Sequence, residues 1–222
     1  MRSKKKRPDP SKLCPPLHRE SAARLCVIID CGILGKKRAV SVARAAASAG
    51  CDMLQLRFKD IDTLEAIKIA RSLKTIALNR NIPLIVNDRA EVASSVGAHG
   101  LHIGRGDITA DLAGRILNKG SIIGISTSNL LEARAAKDRN ADYIGAGPVF
   151  KTPLKGLTRP IGIGVLKKIR SLGVPLFAIG GISLGNIHTL VSSGFRNIAV
   201  IRAVLEAKDP FKATLSIKKA LS

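Results

Sequence analysis

Tryptophan is absent from this chain of 222 residues, tyrosine occurs once, and the aromatic residues together make up 3%. A nucleic-acid surface built on stacked bases would have almost nothing to stack on. Long apolar runs are missing as well: none approaches the roughly 20 residues that span a bilayer as a helix, so no membrane-spanning segment is expected. The four cysteines, Cys14, Cys26, Cys31 and Cys51, form no Cys-x-x-Cys pair, and no histidine stands near them at zinc spacing. Reduced thiols in a cytoplasmic protein are the expectation. Acidic residues are scarce, 16 against 37 Lys and Arg, which leaves a formal charge of +21. Such a field attracts any polyanion, whether nucleic acid, an anionic membrane or a small phosphorylated metabolite, and charge alone does not choose among them.

What is present is globular: 45% apolar and 24% charged residues in a chain long enough for one sizeable core. The opening "MRSKKKRPDPSKLCPP" mixes basic residues with prolines and lacks apolar periodicity. Residues 1–20 are therefore expected to be a basic, disordered tail. The tail has no apolar centre of a secretory signal, and its prolines and Asp9 fit poorly with an amphipathic transit peptide.

Eight strand-like runs follow: "LCVIID", "DMLQLR", "PLIVN", "HGLHIG", "SIIGIS", "DYIGAG", "PLFAIG" and "NIAVI". Between them lie segments of helical spacing, such as Leu64, Ile67, Ala70, Leu73 and Leu78. Continuous rather than alternating apolar strands imply burial on both faces, hence a parallel sheet covered by helices. Eight such units close into a single-domain α/β fold, a (β/α)8 TIM barrel over residues 21–222. An open doubly wound sheet is the alternative.

In such a barrel, chemistry sits where strands end. The second run ends with Gln55, Arg57 and Lys59 at alternate positions, on one face of an extended chain. Two of the three are cations, and Arg and Lys together suit a phosphate or diphosphate. The third run ends in Asn87 and Asp88, and the fourth leads to Asp107. Each aspartate could cap a following helix, and Asp107 could instead sit in a turn with Gly104 and Gly106. As a pair on neighbouring strand ends they suit Mg²⁺, which takes one or two carboxylates and completes its shell with water and phosphate oxygens. His102, inside an apolar run, reads as a hydrogen-bonded barrel residue rather than a ligand. Later strand ends offer Ser126, then Thr152 and Lys155 in the loop after the sixth run, then Gly180 and Gly181, whose bare backbone lets an anion approach. Arg202 and "AVLEA" stand where these barrels carry a phosphate site.

In order and spacing, "LQLRFKD", "PLIVNDR", "HGLHIGRGD", "IIGISTS", "DYIGAGPVFKTPLK", "FAIGGIS" and "IAVIRAVLEAKDP" resemble the thiamine-phosphate synthase family, from about Leu25 onward. The resemblance implies a barrel that joins the pyrimidine diphosphate of thiamine to a thiazole phosphate, releasing pyrophosphate with one Mg²⁺ per subunit. It implies that Gln55, Leu56, Arg57, Phe58, Lys59, Asn87, Ser126 and Lys155 bind the pyrimidine diphosphate, with Arg57, Lys59, Ser126 and Lys155 acting in catalysis. Asp88 and Asp107 would hold the metal. Thr152, Pro153, Leu154, Gly181, Ile201 and Arg202 would bind the thiazole phosphate. Small phosphorylated substrates are the expected partners, without membrane, and with nucleic acid disfavoured; the sequence does not indicate an oligomeric state.

The chemistry fits these residue types. The pyrimidine's exocyclic carbon is benzyl-like, so diphosphate can depart ahead of attack, and the enzyme mainly has to stabilise the leaving group and align the thiazole nitrogen. That nitrogen carries no proton, so no general base is needed. Two departures touch the thiazole site: "TPLK" puts Leu154 where many members have a threonine, and Arg202 stands where some have a serine. The related thiazole tautomerases use a histidine in the loop after strand five; here that loop reads "STSNL". A Schiff-base aldolase would need a lysine inside the barrel, whereas Lys151 and Lys155 lie beyond a strand end. A non-catalytic barrel binding polyanions through its basic surface is the remaining alternative.

Overall fold

The computed structural model describes residues 24–58, 61–104, 106–152 and 159–222. The expected tail lies outside them. Eight strands form a closed, all-parallel barrel in chain order: β1 (Arg24–Asp30), β2 (Met53–Arg57), β3 (Leu84–Asn87), β4 (Gly100–Ile103), β5 (Ile122–Thr127), β6 (Tyr143–Ala146), β7 (Leu176–Ile179) and β8 (Asn197–Val200). Each coincides with one of the apolar runs, and β8 pairs back onto β1 with Arg24 opposite Asn197. The open-sheet alternative is thereby excluded.

Helices cover the outside: α1 (Cys31–Leu34), α2 (Lys36–Ser48), α3 (Thr63–Asn79), α4 (Ala90–Val96), α5 (Ala110–Ile116), α6 (Leu130–Asp138), α7 (Gly162–Arg170), α8 (Ile187–Ser192), α9 (Arg202–Leu205) and α10 (Pro210–Leu221). Their starts are written in the sequence. Asp62, Thr109, Asn129 and Asp209 accept hydrogen bonds from backbone N–H groups of the first turn of α3, α5, α6 and α10, and Pro210 opens α10. On α3 the apolar stripe Ala66, Ile69, Ala70, Leu73, Ile76 and Ala77 is buried against the sheet. Among the described residues no helix is long and apolar enough to cross a membrane.

Two apolar layers result. The larger lies between sheet and helices; the smaller, Cys26, Ile28, Met53, Ile85, Tyr143, Phe177 and Ala199, fills the barrel itself. Polar Gln55 and His102, both buried, sit within reach of Tyr143 in that interior. Cys26, Cys31 and Cys51 are buried free thiols, pushed up in pKa chiefly by burial and so held unreactive.

Candidate active site

Because every strand runs the same way, the eight carboxyl ends open on one face, and the βα loops there gather the polar residues that close each run. Strand alternation decides which side chains enter. On β2 Gln55 and Arg57 share the inward face, whereas Leu56 belongs to the outer core, as does Phe58 just past the strand end, so what these two offer a ligand is backbone. Lys59, Pro153, Leu154 and Lys155 lie outside the described residues.

Arg57, Asn87, Asp88, Asp107 and Ser126 line one cavity of about 420 Å³, together with Gly104, Thr127, Ser128, Glu132, Gly147 and Pro148. Asp88 begins as a strand residue, its N–H donating to the His102 carbonyl at 2.9 Å. Its φ of +65° then turns the chain out of the sheet, a left-handed conformation that an aspartate adopts only where surroundings hold it. The capping alternative for Asp88 does not hold: Arg89 is at the N-cap of α4 and makes no side-chain cap bond. For Asp107 the turn reading holds, since its carboxylate accepts the Gly104 N–H at 2.7 Å while Thr109 caps α5.

The two carboxylates converge over Gly104. A Cβ there would stand 2.8 Å from Asp107 Oδ2 and 3.5 Å from Asp88 Oδ1, so only glycine leaves the space between them free. Burial pushes the Asp88 carboxyl up to about 7, reinforced by its hydrogen bond to Asp107 and by that residue's charge. The Arg57 guanidinium and the Asn87 side chain pull in the opposite direction without prevailing. Two converging carboxylates are a hard-oxygen donor pair of the kind that suits a divalent cation. No cluster of three or more His, Cys, Asp or Glu suited to a metal occurs among the described residues. A pair of carboxylates is the kind of donor set Mg²⁺ takes, since it needs few protein ligands, whereas zinc favours Cys and His.

A residue that the strand-end reading passed over completes this side. The first run, "LCVIID", also ends in an aspartate. Asp30, 2% exposed, pairs with Arg57 across the β1–β2 register and accepts the Gly32 N–H at 2.9 Å with its other oxygen. It fixes the guanidinium at the cavity rim, leaving further N–H groups of the fork for an anion. Arg89 likewise ties the loop after β2 to α4, donating to the Ile61 carbonyl at 2.9 Å with its guanidinium over the Phe58 ring.

Thr152, Gly181, Ile201 and Arg202 come together in a second cavity of about 300 Å³, shared with Lys151, Ser183 and Glu206. Gly181 has φ +67°, and a Cβ on it would meet the Lys151 carbonyl at 2.4 Å, so the loops after β6 and β7 pack backbone to backbone. Asn186 holds this corner, donating to the Gly181 carbonyl at 2.8 Å and accepting the Ser183 N–H at 2.9 Å. Arg202 donates to Glu206 at 2.6 Å along α9, with both side chains about two-fifths exposed.

Comparison with known proteins places this geometry. The family model described as thiamine monophosphate synthase matches residues 25–204. A thiamine-phosphate synthase of Roseiflexus castenholzii is 35% identical over 213 residues, covering 95% of this chain and 93% of that protein. One of Clostridium novyi is 36% identical over 188 residues, 84% and 92% of the two chains. The solved thiamine phosphate pyrophosphorylase of Pyrococcus furiosus superposes with a TM-score of 0.83 at 35% identity, covering 92% of this chain and 97% of that one. With the motif order, the closed barrel and a match over most of the chain in agreement, the chain belongs to the thiamine-phosphate synthase family.

Proposed function

We propose that this barrel condenses 4-amino-2-methyl-5-(diphosphooxymethyl)pyrimidine with a thiazole phosphate, giving thiamine phosphate and pyrophosphate. The observation that carries the reading is the first cavity, where two carboxylates converge next to a guanidinium that Asp30 holds in place. Carboxylates that can take a cation, set beside a guanidinium that can take an anion, suit a metal-bound diphosphate.

The pyrimidine diphosphate occupies the first cavity on this reading, its diphosphate on Arg57 and Ser126, with Asn87 and the backbone of Leu56 and Phe58 around it, and the family resemblance assigns Lys59 and Lys155 to the same group. Gln55 contributes from the barrel interior. Asp88 and Asp107 would hold one Mg²⁺ per subunit, which when bound supplies positive charge to the diphosphate oxygens. The carbon–oxygen bond to diphosphate breaks as the guanidinium and ammonium groups take up the developing negative charge, and the delocalised pyrimidinyl cation is caught by the thiazole nitrogen. That nitrogen loses no proton, so the reaction asks for no general base. The thiazole phosphate sits in the second cavity on Thr152, Gly181, Ile201 and Arg202, which sets the nitrogen in line, and the family resemblance adds Pro153 and Leu154 to that set. With Leu154 in place of a hydroxyl-bearing residue, backbone N–H groups and Arg202 carry that phosphate. The enzyme works in the cytoplasm on this reading, where free thiols such as those of Cys26, Cys31 and Cys51 persist.

Pyrophosphate release, followed by a coupled assay, is expected only when both substrates and Mg²⁺ are supplied. Release from the wild-type chain independent of the thiazole phosphate, or none with good substrates and metal, overturns the proposal.

A further inference from the structure

Inside the barrel three side chains form a chain of hydrogen bonds that ends at the floor of the diphosphate cavity. Gln55 Nε2 lies 3.4 Å from Tyr143 Oη, Tyr143 Oη 2.9 Å from His102 Nδ1, and His102 Nε2 2.8 Å from Ser126 Oγ. Gln55, Tyr143 and His102 are all buried, 2–6% exposed. The arrangement is built in by the neighbouring strand: a Cβ on Gly124 would fall 2.1 to 2.5 Å from the Tyr143 ring and hydroxyl, so the phenol needs glycine at that position. The single tyrosine of the sequence is spent here.

Such a chain can run in two directions. In one, Gln55 donates to Tyr143, Tyr143 donates its only proton to His102 Nδ1, and the neutral imidazole carries its proton on Nε2 and donates to Ser126 Oγ. The serine proton is then left to point into the cavity. In the other, every donor and acceptor reverses: Ser126 donates inward to His102 and presents only lone pairs outward. A network with a purely structural role works equally well either way. The contents of the cavity do not, because an anionic oxygen can only accept, and a serine turned inward would repel it. The carboxamide orientation, with Nε2 rather than Oε1 toward Tyr143, agrees with the outward direction. Burial holds the Tyr143 phenol well above its ordinary pKa, so it stays protonated and has one proton to donate in either direction.

We propose that Gln55, Tyr143 and His102 form a one-way hydrogen-bond relay that holds the Ser126 hydroxyl as a donor aimed at the departing diphosphate, with His102 and Tyr143 as positioning residues. This rests on the reading that Ser126 faces the diphosphate. The gain is preorganisation: the donor is oriented before charge develops and needs no turn at the moment of reaction.

The test is the tautomer of His102 in the full chain, read from long-range ¹H–¹⁵N correlations of ¹⁵N-histidine-labelled protein, with the His102→Gln variant identifying its signals among the four histidines. The expected spectrum has Nε2 protonated and Nδ1 bare, with and without Mg²⁺ and inorganic pyrophosphate. A proton on Nδ1, alone or together with Nε2, overturns the relay, and this requires no variant to fold. Tyr143→Phe keeps the ring but removes the donor to Nδ1. The His102 signals should then report mixed tautomers, and kcat should fall by roughly tenfold to a hundredfold with little change in the KM for the pyrimidine diphosphate. A pure Nε2–H tautomer with unaltered kcat in that variant contradicts the proposal. Failure of the underlying reading looks different: Ser126→Ala would then turn over like wild type while His102 kept its tautomer.

Discussion

Aspartates stand at both ends of this barrel, and Asp88 at one end is used in the opposite way from Asp52 and Asp142 at the other. At the amino-terminal end Asp52 and Asp142 each precede a strand, and each accepts a backbone N–H of the strand before it, from Leu25 and Ile123, at 2.7 Å. Asp52 adds an ion pair with Lys218 from α10. His99, at the same end, accepts the Leu84 N–H at 2.8 Å, and burial together with the Lys74 ammonium holds it down to about 4, so it stays neutral. Every one of these groups answers a need of the fold. At the carboxyl-terminal end Asp88 and Asp107 face each other, and Asp88 is raised to about 7 instead of being satisfied. Residue type does not separate structural from functional carboxylates; the partner does. Asp52 and Asp142, with N–H groups and, for Asp52, an ammonium as partners, hold the barrel together, whereas Asp88, whose carboxyl meets another carboxylate, has the perturbed surroundings of a functional candidate.

The sharpest way to break this comparison is to exchange the effects of mutation at the two ends. Asp88→Asn keeps the shape but removes the charge, and should lower kcat by roughly 10²–10³ at saturating substrates, as expected for loss of a group that stabilises the leaving anion, while the metal-free protein still folds. Arg57→Gln should fall in the same range; turnover near wild type in both would mean that the converging groups are structural after all. Asp52→Ala should do the reverse. It leaves the buried Leu25 N–H without its acceptor, so denaturant unfolding should show a loss of about 1–3 kcal/mol with kcat within a factor of two. A smaller effect sharpens the contrast through pH. Asp88 is ionised above about pH 4 when unfolded but holds its proton up to about 7 when folded, so the metal-free native state binds more protons across that window and loses stability as pH rises through it. Metal-free Asp88→Asn should accordingly melt a few degrees above wild type at pH 8, the gap closing toward pH 4 and reversing sign nowhere between. An equal melting temperature at pH 8 would place the two aspartates in one class. The least effect belongs to the Lys36–Glu65 pair at 3.2 Å, in which the ammonium is exposed, and Lys36→Gln should shift stability by no more than ~0.5 kcal/mol.

The parts of this molecule that could be read along the chain are those written locally. Eight strands were legible because each is buried on both faces and so appears as a continuous apolar run, and the helix starts because Asp62, Thr109, Asn129 and Asp209 act within their own first turn. Gln55 and Arg57 could be assigned to one face by strand alternation alone. Asp30 could not be matched with Arg57, 27 residues away, without the β1–β2 register that closure of the barrel imposes. The same holds for the path from Gln55 through Tyr143 and His102 to Ser126, which crosses the interior between strands far apart in sequence. For Asp88 taken alone the chain favoured a helix cap, and only its pairing with Asp107 suggested a ligand. What decides is a left-handed backbone that carries it out of the sheet toward Asp107, a property of the folded loop and not of the residues VNDR.

One measurement addresses the central contrast directly: Mn²⁺ binding followed by electron paramagnetic resonance at pH 8 in the presence of inorganic pyrophosphate, for wild type, Asp88→Asn, Asp107→Asn and Asp52→Asn. One ion per chain is predicted for wild type, with affinity at least about tenfold weaker in the Asp88 and Asp107 variants and unchanged in the Asp52 variant. Equal affinity in all four proteins would contradict the account.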